Sequence, residues 1–182
     1  MASSRSGSAG SEDELYAYAL AALGRRMRSV AELKRLLRRR VNEETEYGRT
    51  LLALVIRRLK DRGYLNDGRY AAAYSSLRRD NERFGRRRVI SELKAKGVAR
   101  EVIEQAVDAA YDEVDEERQT RAYLRRKRIA KPKDQKQAAR VFRQLLRAGF
   151  RAQAIFAVFK EWDGDEATWS ALAEEEPEDL LS

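Results

Sequence analysis

The side chains of this chain that could do chemistry are overwhelmingly cations. Arg25, Arg26 and Arg28 form one cluster. Arg86, Arg87 and Arg88 form a second, with Lys94 and Lys96 shortly after it, and Arg125, Arg126, Lys127 and Arg128 a third. A guanidinium grips carboxylate and phosphate alike with paired hydrogen bonds, so these clusters point to an anionic partner without choosing between acidic protein and nucleic acid. The chain has neither Cys nor His. That removes thiol nucleophiles, Cys/His zinc sites and the side chain that most often carries protons near neutrality. Carboxylate chemistry has no clustered motif to support it. The expectation is therefore a binding protein with no catalytic residues, no cofactor and no metal. Tyr16, Tyr18, Tyr70, Tyr74 and Tyr123 could stack on bases, but tyrosines at helical spacing read first as core.

Charge is distributed unevenly. The 182 residues carry a net +8, yet Asp163 onward holds eight acidic residues and no Lys or Arg, which leaves +16 on residues 1–162. A body that basic repels itself unless an anion or the solvent screens it, and nucleic acid, or a protein filament wrapped on it, is the leading partner. No apolar run is long enough to span a bilayer, and the N-terminus lacks a signal-peptide core, so a cytoplasmic protein is expected.

The elements that must position these cations are helices. Gly and Pro are few, while Ala, Leu, Arg, Glu and Lys abound. The organising stretch is Gly85 to Val107: Val89, Ile90 and Leu93 lie at helical spacing, Lys96-Gly97 ends the helix, and Val102, Ile103, Ala106 and Val107 mark a second one. The pattern recurs at an offset of 52, where Phe142, Leu145, Gly149, Phe150, Ile155 and Val158 match Ile90, Leu93, Gly97, Val98, Ile103 and Ala106. A weaker copy at an offset of 57 sets Leu33, Leu36 and Val41 against Ile90, Leu93 and Val98, with Arg40 in place of the glycine. Periods of this size suggest stacked helical modules sharing a core.

In chain order, capping-box spacings at Ser11/Glu14 and Ser29/Glu32 open the first two helices. The first carries Leu15, Ala19, Leu23 and Met27; the second carries Leu33, Leu36 and Leu37. A third is expected after Asn42, through Tyr47, Leu51, Val55 and Leu59 to Gly63, with Tyr64 and Leu65 docking back and Asn66 or Asp67 capping the next. The fourth carries Tyr70, Ala73, Tyr74 and Leu77. The remaining helices are the two around Gly97, then 115–128, 134–148 and 151–162. Nine helices divide into three groups of three: 12–65, 66–112 and 113–162, between a Ser/Gly-rich head (1–11) and an acidic tail (163–182).

An ordered set of short motifs then resembles the RecX family of bacterial regulators, which act on the recombinase RecA. They are Arg26-Met27-Arg28-Ser29 with Glu32-Leu33, Gly63-Tyr64-Leu65-Asn66-Asp67 with Tyr70-Ala71, Gly85-Arg86-Arg87-Arg88-Val89, Glu92-Leu93, Lys96-Gly97-Val98, and Leu145-Leu146-Arg147-Ala148-Gly149-Phe150. Arg86 departs from the pattern, standing where the family often has proline. The resemblance implies an all-α fold of three tandem three-helix modules in an elongated, curved array. It also implies a monomer that lodges in the groove of the RecA filament on single-stranded DNA and inhibits ATP hydrolysis, strand exchange and co-protease action. Double-stranded DNA is a further partner on this reading, no membrane is involved, and the basic clusters are the surface that meets filament and DNA. The competing function is a helical architectural or repressor protein that binds DNA directly.

Overall fold

A computed structural model of the protein describes residues 11–162, so the head and the acidic tail lie outside the described residues. Among the described residues the chain is all-helical, with no strand. Its helices are α1 (Glu12–Arg25), α2 (Val30–Leu37), α3 (Glu46–Asp61), α4 (Asp67–Asp80), α5 (Arg86–Ala95), α6 (Arg100–Tyr111), α7 (Glu116–Arg126), α8 (Gln135–Arg147) and α9 (Ala152–Lys160), with a 3-10 turn at Arg38–Arg40. The chain divides into two compact units, Met1–Ala73 with Leu93–Glu104 and Tyr74–Glu92 with Gln105–Ser182.

Local chemistry accounts for most helix ends. The Ser11 hydroxyl accepts from the Glu14 amide, and Ser29 and Glu32 form a complete capping box, satisfying amides that the first turn leaves without partners. Asp115 and Asp134 cap α7 and α8 in the same way. At three C-termini the chain turns through a left-handed glycine: Gly63 (φ 72°), Gly97 (φ 74°) and Gly149 (φ 95°). The bonds around Gly97 and Gly149 are the same at the 52-residue offset. Gly97 and Val98 donate to Lys94 and Leu93, while Gly149 and Phe150 donate to Leu146 and Leu145. In the weaker copy the chain closes α2 with the 3-10 turn and leaves through extended Val41 (φ −129°), so Arg40 avoids the left-handed region that a side chain would strain.

The first unit buries Leu15, Tyr16, Ala19, Leu33, Leu37, Leu51, Val55, Ile56 and Leu59 as a common core, with Leu65 joining them. Leu93, Val98 and Ile103 are buried as well. The second unit is richer in aromatics. Tyr123 meets Phe150 edge-on at 5.6 Å, and Phe142 stacks on Phe156 at 5.0 Å.

Several expectations need correction. Met27 lies beyond α1 and is 55% exposed, because Arg26 turns extended and ends the helix first. Helix α3 starts after Thr45, not Asn42: the Asn42 side chain accepts from the Glu44 amide and its carbonyl from Thr45, which makes a turn that Thr45 then caps. Tyr47 stands outside at the start of that helix. Leu65 docks back, but Tyr64 does not. Ala73 and Leu77 are exposed; the inward face of α4 is Tyr70, Ala71 and Ser75. Ile90 and Val102 are only half-buried, whereas their counterparts Phe142 and Ala154 are buried.

Candidate basic interface

In the first unit the chemistry gathers on Glu32. Its carboxylate accepts from the Ser29 amide at 3.2 Å and the Tyr70 hydroxyl at 3.2 Å, with the Lys96 ammonium at 3.4 Å and the Arg26 guanidinium at 3.9 Å. The Ser29 hydroxyl, fully buried, donates in turn to the Lys96 carbonyl at 2.6 Å. Burial pushes the Glu32 carboxyl up, but the Ser29 amide and Lys96 outweigh it, so the group titrates below the usual glutamate range. Lys96 is thus tied into the structure. Arg26 reaches the same carboxylate from a largely exposed position, and Arg28 donates to the Ala22 carbonyl at 3.4 Å. Arg25 and Lys94 are exposed.

Beside this cluster lies a shallow groove of about 350 Å³ lined by Arg26, Arg28, Glu32, Arg35, Leu36 and Arg39. Arg35 and Arg39 were not singled out in the sequence. They sit one helical turn apart and exposed, and that four-residue spacing was the available signal.

The second unit has its own collecting carboxylate, Glu92. It accepts from the Tyr74 hydroxyl at 2.7 Å and pairs with Arg78 at 3.1 Å and Arg88 at 3.0 Å. Arg88 also donates to the Arg147 carbonyl at 3.1 Å and lies over the Phe84 ring at 4.3 Å. Around it, the start of α5 meets the end of α8: the Gly85 amide donates to the Ala148 carbonyl at 2.8 Å and the Arg87 amide to the Gly149 carbonyl at 3.3 Å. The two backbones approach so closely that a Cβ on Gly85 would fall 2.3 Å from the Gly149 carbonyl, and one on Gly149 would fall 2.4 Å from the Arg88 nitrogen. Electropositive and electronegative helix ends face each other there, each supplying what the other lacks.

The cluster Arg86 to Arg88 therefore splits. Arg86 pairs with Asp108, Arg88 is built into the joint, and Arg87 is exposed and has no side-chain partner among the described residues. In the third cluster Arg126 and Lys127 share Glu82, at 3.3 and 3.8 Å, while Arg125 and Arg128 are exposed. A cavity of about 380 Å³ opens beside the α5–α8 joint, lined by Arg86, Arg87, Tyr111, Glu116, Gln119 and Arg151 among others. Glu116 accepts from the Arg151 amide at 2.7 Å, so a carboxylate of the chain itself caps α9.

The sequence also passed over the outer face of α8. Lys136, Arg140, Arg143 and Arg147 are all exposed and lie at i, i+4, i+7 and i+11. Of the tyrosines considered for base stacking, Tyr16, Tyr70 and Tyr123 are buried, and Tyr18 and Tyr74 are half-buried. No group of three or more acidic side chains that could hold a metal occurs among the described residues. No helix among them is long and apolar enough to cross a membrane.

The model of the second three-helix domain of RecX matches residues 66–107. A regulatory protein RecX of Mycolicibacterium vanbaalenii is 32% identical over 153 residues, 80% of this chain and 80% of that protein. The chain belongs to the RecX family. Its counterpart in Deinococcus radiodurans is 33% identical over 82% of this chain and 68% of that protein. The Bacillus subtilis member is 32% identical over 82% of this chain but only 56% of its own length. The fold agrees with a crystal structure of RecX from Lactobacillus salivarius, with a TM-score of 0.65 over 84% of this chain and 96% of that one, at 20% identity. Family membership casts the quoted motifs in physical terms. Arg26, Ser29, Glu32, Tyr70 and Lys96 meet in one ion cluster, and Gly85, Arg88, Glu92 and Gly149 build one joint. Arg86, where the family often has proline, is the first residue of α5, a position that tolerates proline because its amide needs no helical acceptor.

Proposed function

We propose that the chain binds the RecA filament on single-stranded DNA and inhibits its ATP hydrolysis, strand exchange and co-protease action, as a non-enzymatic cytoplasmic regulator of recombination and the SOS response. Its membership of the RecX family carries this reading, and the net +16 on residues 1–162 supports it. On this reading the chain acts as a monomer of three modules, 12–65, 66–112 and 113–162. Modules in tandem can engage repeating sites on neighbouring protomers and gain from multivalency. They change filament activity only by preferring one filament state over another.

The exposed cations offered to the partner are Arg25, Arg26, Arg35, Arg39 and Lys94 in the first unit and Arg87, Arg125 and Arg128 in the second. Arg86, Arg88, Lys96 and Arg126 serve them by holding the framework. Titrating the protein into RecA hydrolysing ATP on single-stranded DNA tests the proposal: hydrolysis should fall as the protein approaches a fixed ratio to filament. Undiminished hydrolysis at saturating protein would overturn it. Direct DNA binding, as in an architectural or repressor protein, is the second reading, and the exposed face of α8 is the observation that favours it.

A further inference from the structure

We infer that the outer face of α8 is a binding surface for the phosphodiester backbone of nucleic acid, independent of base sequence. The inference deepens the nucleic-acid side of the reading above and assigns it to residues outside the three basic clusters.

At 100° per residue, Lys136, Arg140, Arg143 and Arg147 fall within an arc of roughly 60° along a line of about 16 Å. No Asp or Glu occurs between Gln135 and Lys160, a stretch that holds six cations. Several other arginines of the second unit do have carboxylate partners: Arg121 has Glu117 and Glu161, Arg126 has Glu82, and Arg86 has Asp108. None of the four α8 cations makes an ion pair among the described residues. Their mutual repulsion is left unanswered within the fold, which favours a surface awaiting an external polyanion.

The composition of that face selects nucleic acid over an acidic protein. It is flanked by Gln137 and Gln144 on one side and by Ala139 and half-buried Leu146 on the other, and the line itself carries no aromatic or large aliphatic group, since Val141, Phe142 and Leu145 are turned inward. A protein interface is anchored by such groups at its centre. A line of cations repeating every 4 to 6 Å suits a polymer whose charge also repeats at a few ångströms. With no ring to stack on bases, contact is confined to phosphates, so single strands and duplex should both bind.

The test uses the full chain and fluorescein-labelled oligonucleotides, a poly-dT single strand and a mixed duplex, without RecA. Fluorescence anisotropy gives affinity between 50 and 200 mM salt. Neutralising the line (K136Q/R140Q/R143Q/R147Q) should lower the slope of log affinity against log salt by about 3 for the single strand and about 3.6 for the duplex. The wild-type advantage should shrink by roughly 50-fold for the single strand and roughly 150-fold for the duplex across that salt range. A control with equal charge loss at exposed Arg57, Lys60, Arg100 and Arg118, each to Gln, should lose far less, and melts of both variants by circular dichroism should match wild type. Equal losses in variant and control would reduce the effect to net charge and overturn the assignment. So would a variant that keeps its naked-DNA slope but no longer inhibits RecA, which would place protein on this face. Because the readout needs no recombinase, failure here leaves the RecA proposal standing, and failure of the ATPase test leaves this one standing.

Discussion

Arg86, Arg87 and Arg88 stand next to one another in sequence and do three different things. Lys136, Arg140, Arg143 and Arg147 are spread over twelve residues and form one line. Consecutive residues on a helix fan out by 100° each, so the first set spans about 200° and each member meets a different environment. Arg86 finds Asp108, Arg87 finds solvent, and Arg88 finds Glu92, Phe84 and a carbonyl at the end of α8. The second set returns to the same side every turn. A run of like charges along a sequence is therefore poor at making a surface, and a spaced set is good at it.

The largest expected effect comes from breaking the joint that holds the first set. Gly149→Ala places a side chain at φ 95° and drives a Cβ to 2.4 Å from the Arg88 nitrogen. Backbone strain of about 1–2 kcal/mol plus overpacking of about 1–3 kcal/mol gives a loss of roughly 2–5 kcal/mol in a urea melt. A loss under about 1 kcal/mol would show that the joint yields at little cost and that Arg88 is not locked there.

Next in size is the contrast between single arginines. Arg88→Ala removes an ion pair, a bond to a carbonyl and a cation–π contact, and should cost about 1–2 kcal/mol. Arg140→Ala or Arg143→Ala, on the line, should stay within about 0.5 kcal/mol, as exposed substitutions do. Equal costs at the two places would erase the distinction.

How far the sequence revealed this division follows from the same geometry. The glycine turns, the 52-residue repeat and the Ser29/Glu32 cap were legible, because local backbone chemistry determines them and each leaves a residue-specific mark. The clusters were legible as clusters, but their roles were not. Whether Arg88 or Lys96 is spent inside the fold depends on the Arg147 carbonyl and the Glu32 carboxylate, which reach them across 59 and 64 residues of sequence. The α8 line has no two cations adjacent, so no run of charge marks it in the sequence. Its signal, cations at i, i+4, i+7 and i+11 with no acid nearby, was present in the sequence. Tyr70 and Tyr74, whose helical spacing reads first as core, are buried and half-buried, and each also delivers a hydroxyl to a collecting glutamate.

A smaller effect extends the comparison to the first unit, where Glu32 plays the part that Glu92 plays in the second. The folded state holds the Glu32 carboxyl below its usual value, so its charged form contributes stability that is present above about pH 4.3 and lost as pH falls through its lower folded value. Glu32→Gln should cost about 1 kcal/mol at pH 7, and the gap to wild type should close as pH falls toward 3. Urea melts at both pH values decide it. A gap that persists at low pH would mean that the carboxylate charge is not what gathers Lys96 and Arg26.

The smallest effect concerns what else competes for the α8 line. The described chain ends at Trp162, which stacks on Phe159 at 5.1 Å; Phe159 lies 6.4 Å from Phe142, the neighbour in sequence of Arg143. Trp162 is thus linked through Phe159 to the middle of α8, and the sequence from Asp163 carries eight acids and no cation. Twenty residues span up to roughly 66 Å when extended, several times the length of the line, so reach is no obstacle. Attraction between unlike charges at such short tethering competes with an external polyanion and fades as salt shortens the Debye length from about 14 Å at 50 mM toward 7 Å at 200 mM. Deleting residues 165–182, which removes seven of the eight acids, should therefore raise affinity for a poly-dT oligonucleotide a few-fold at 50 mM salt and by less at 200 mM. In the variant with the α8 line neutralised the deletion should change nothing beyond the small gain expected from net charge. A full gain in that variant would show that the tail acts on some other basic surface, and Arg26, Arg28, Arg35 and Arg39 in the first unit would be the next to neutralise.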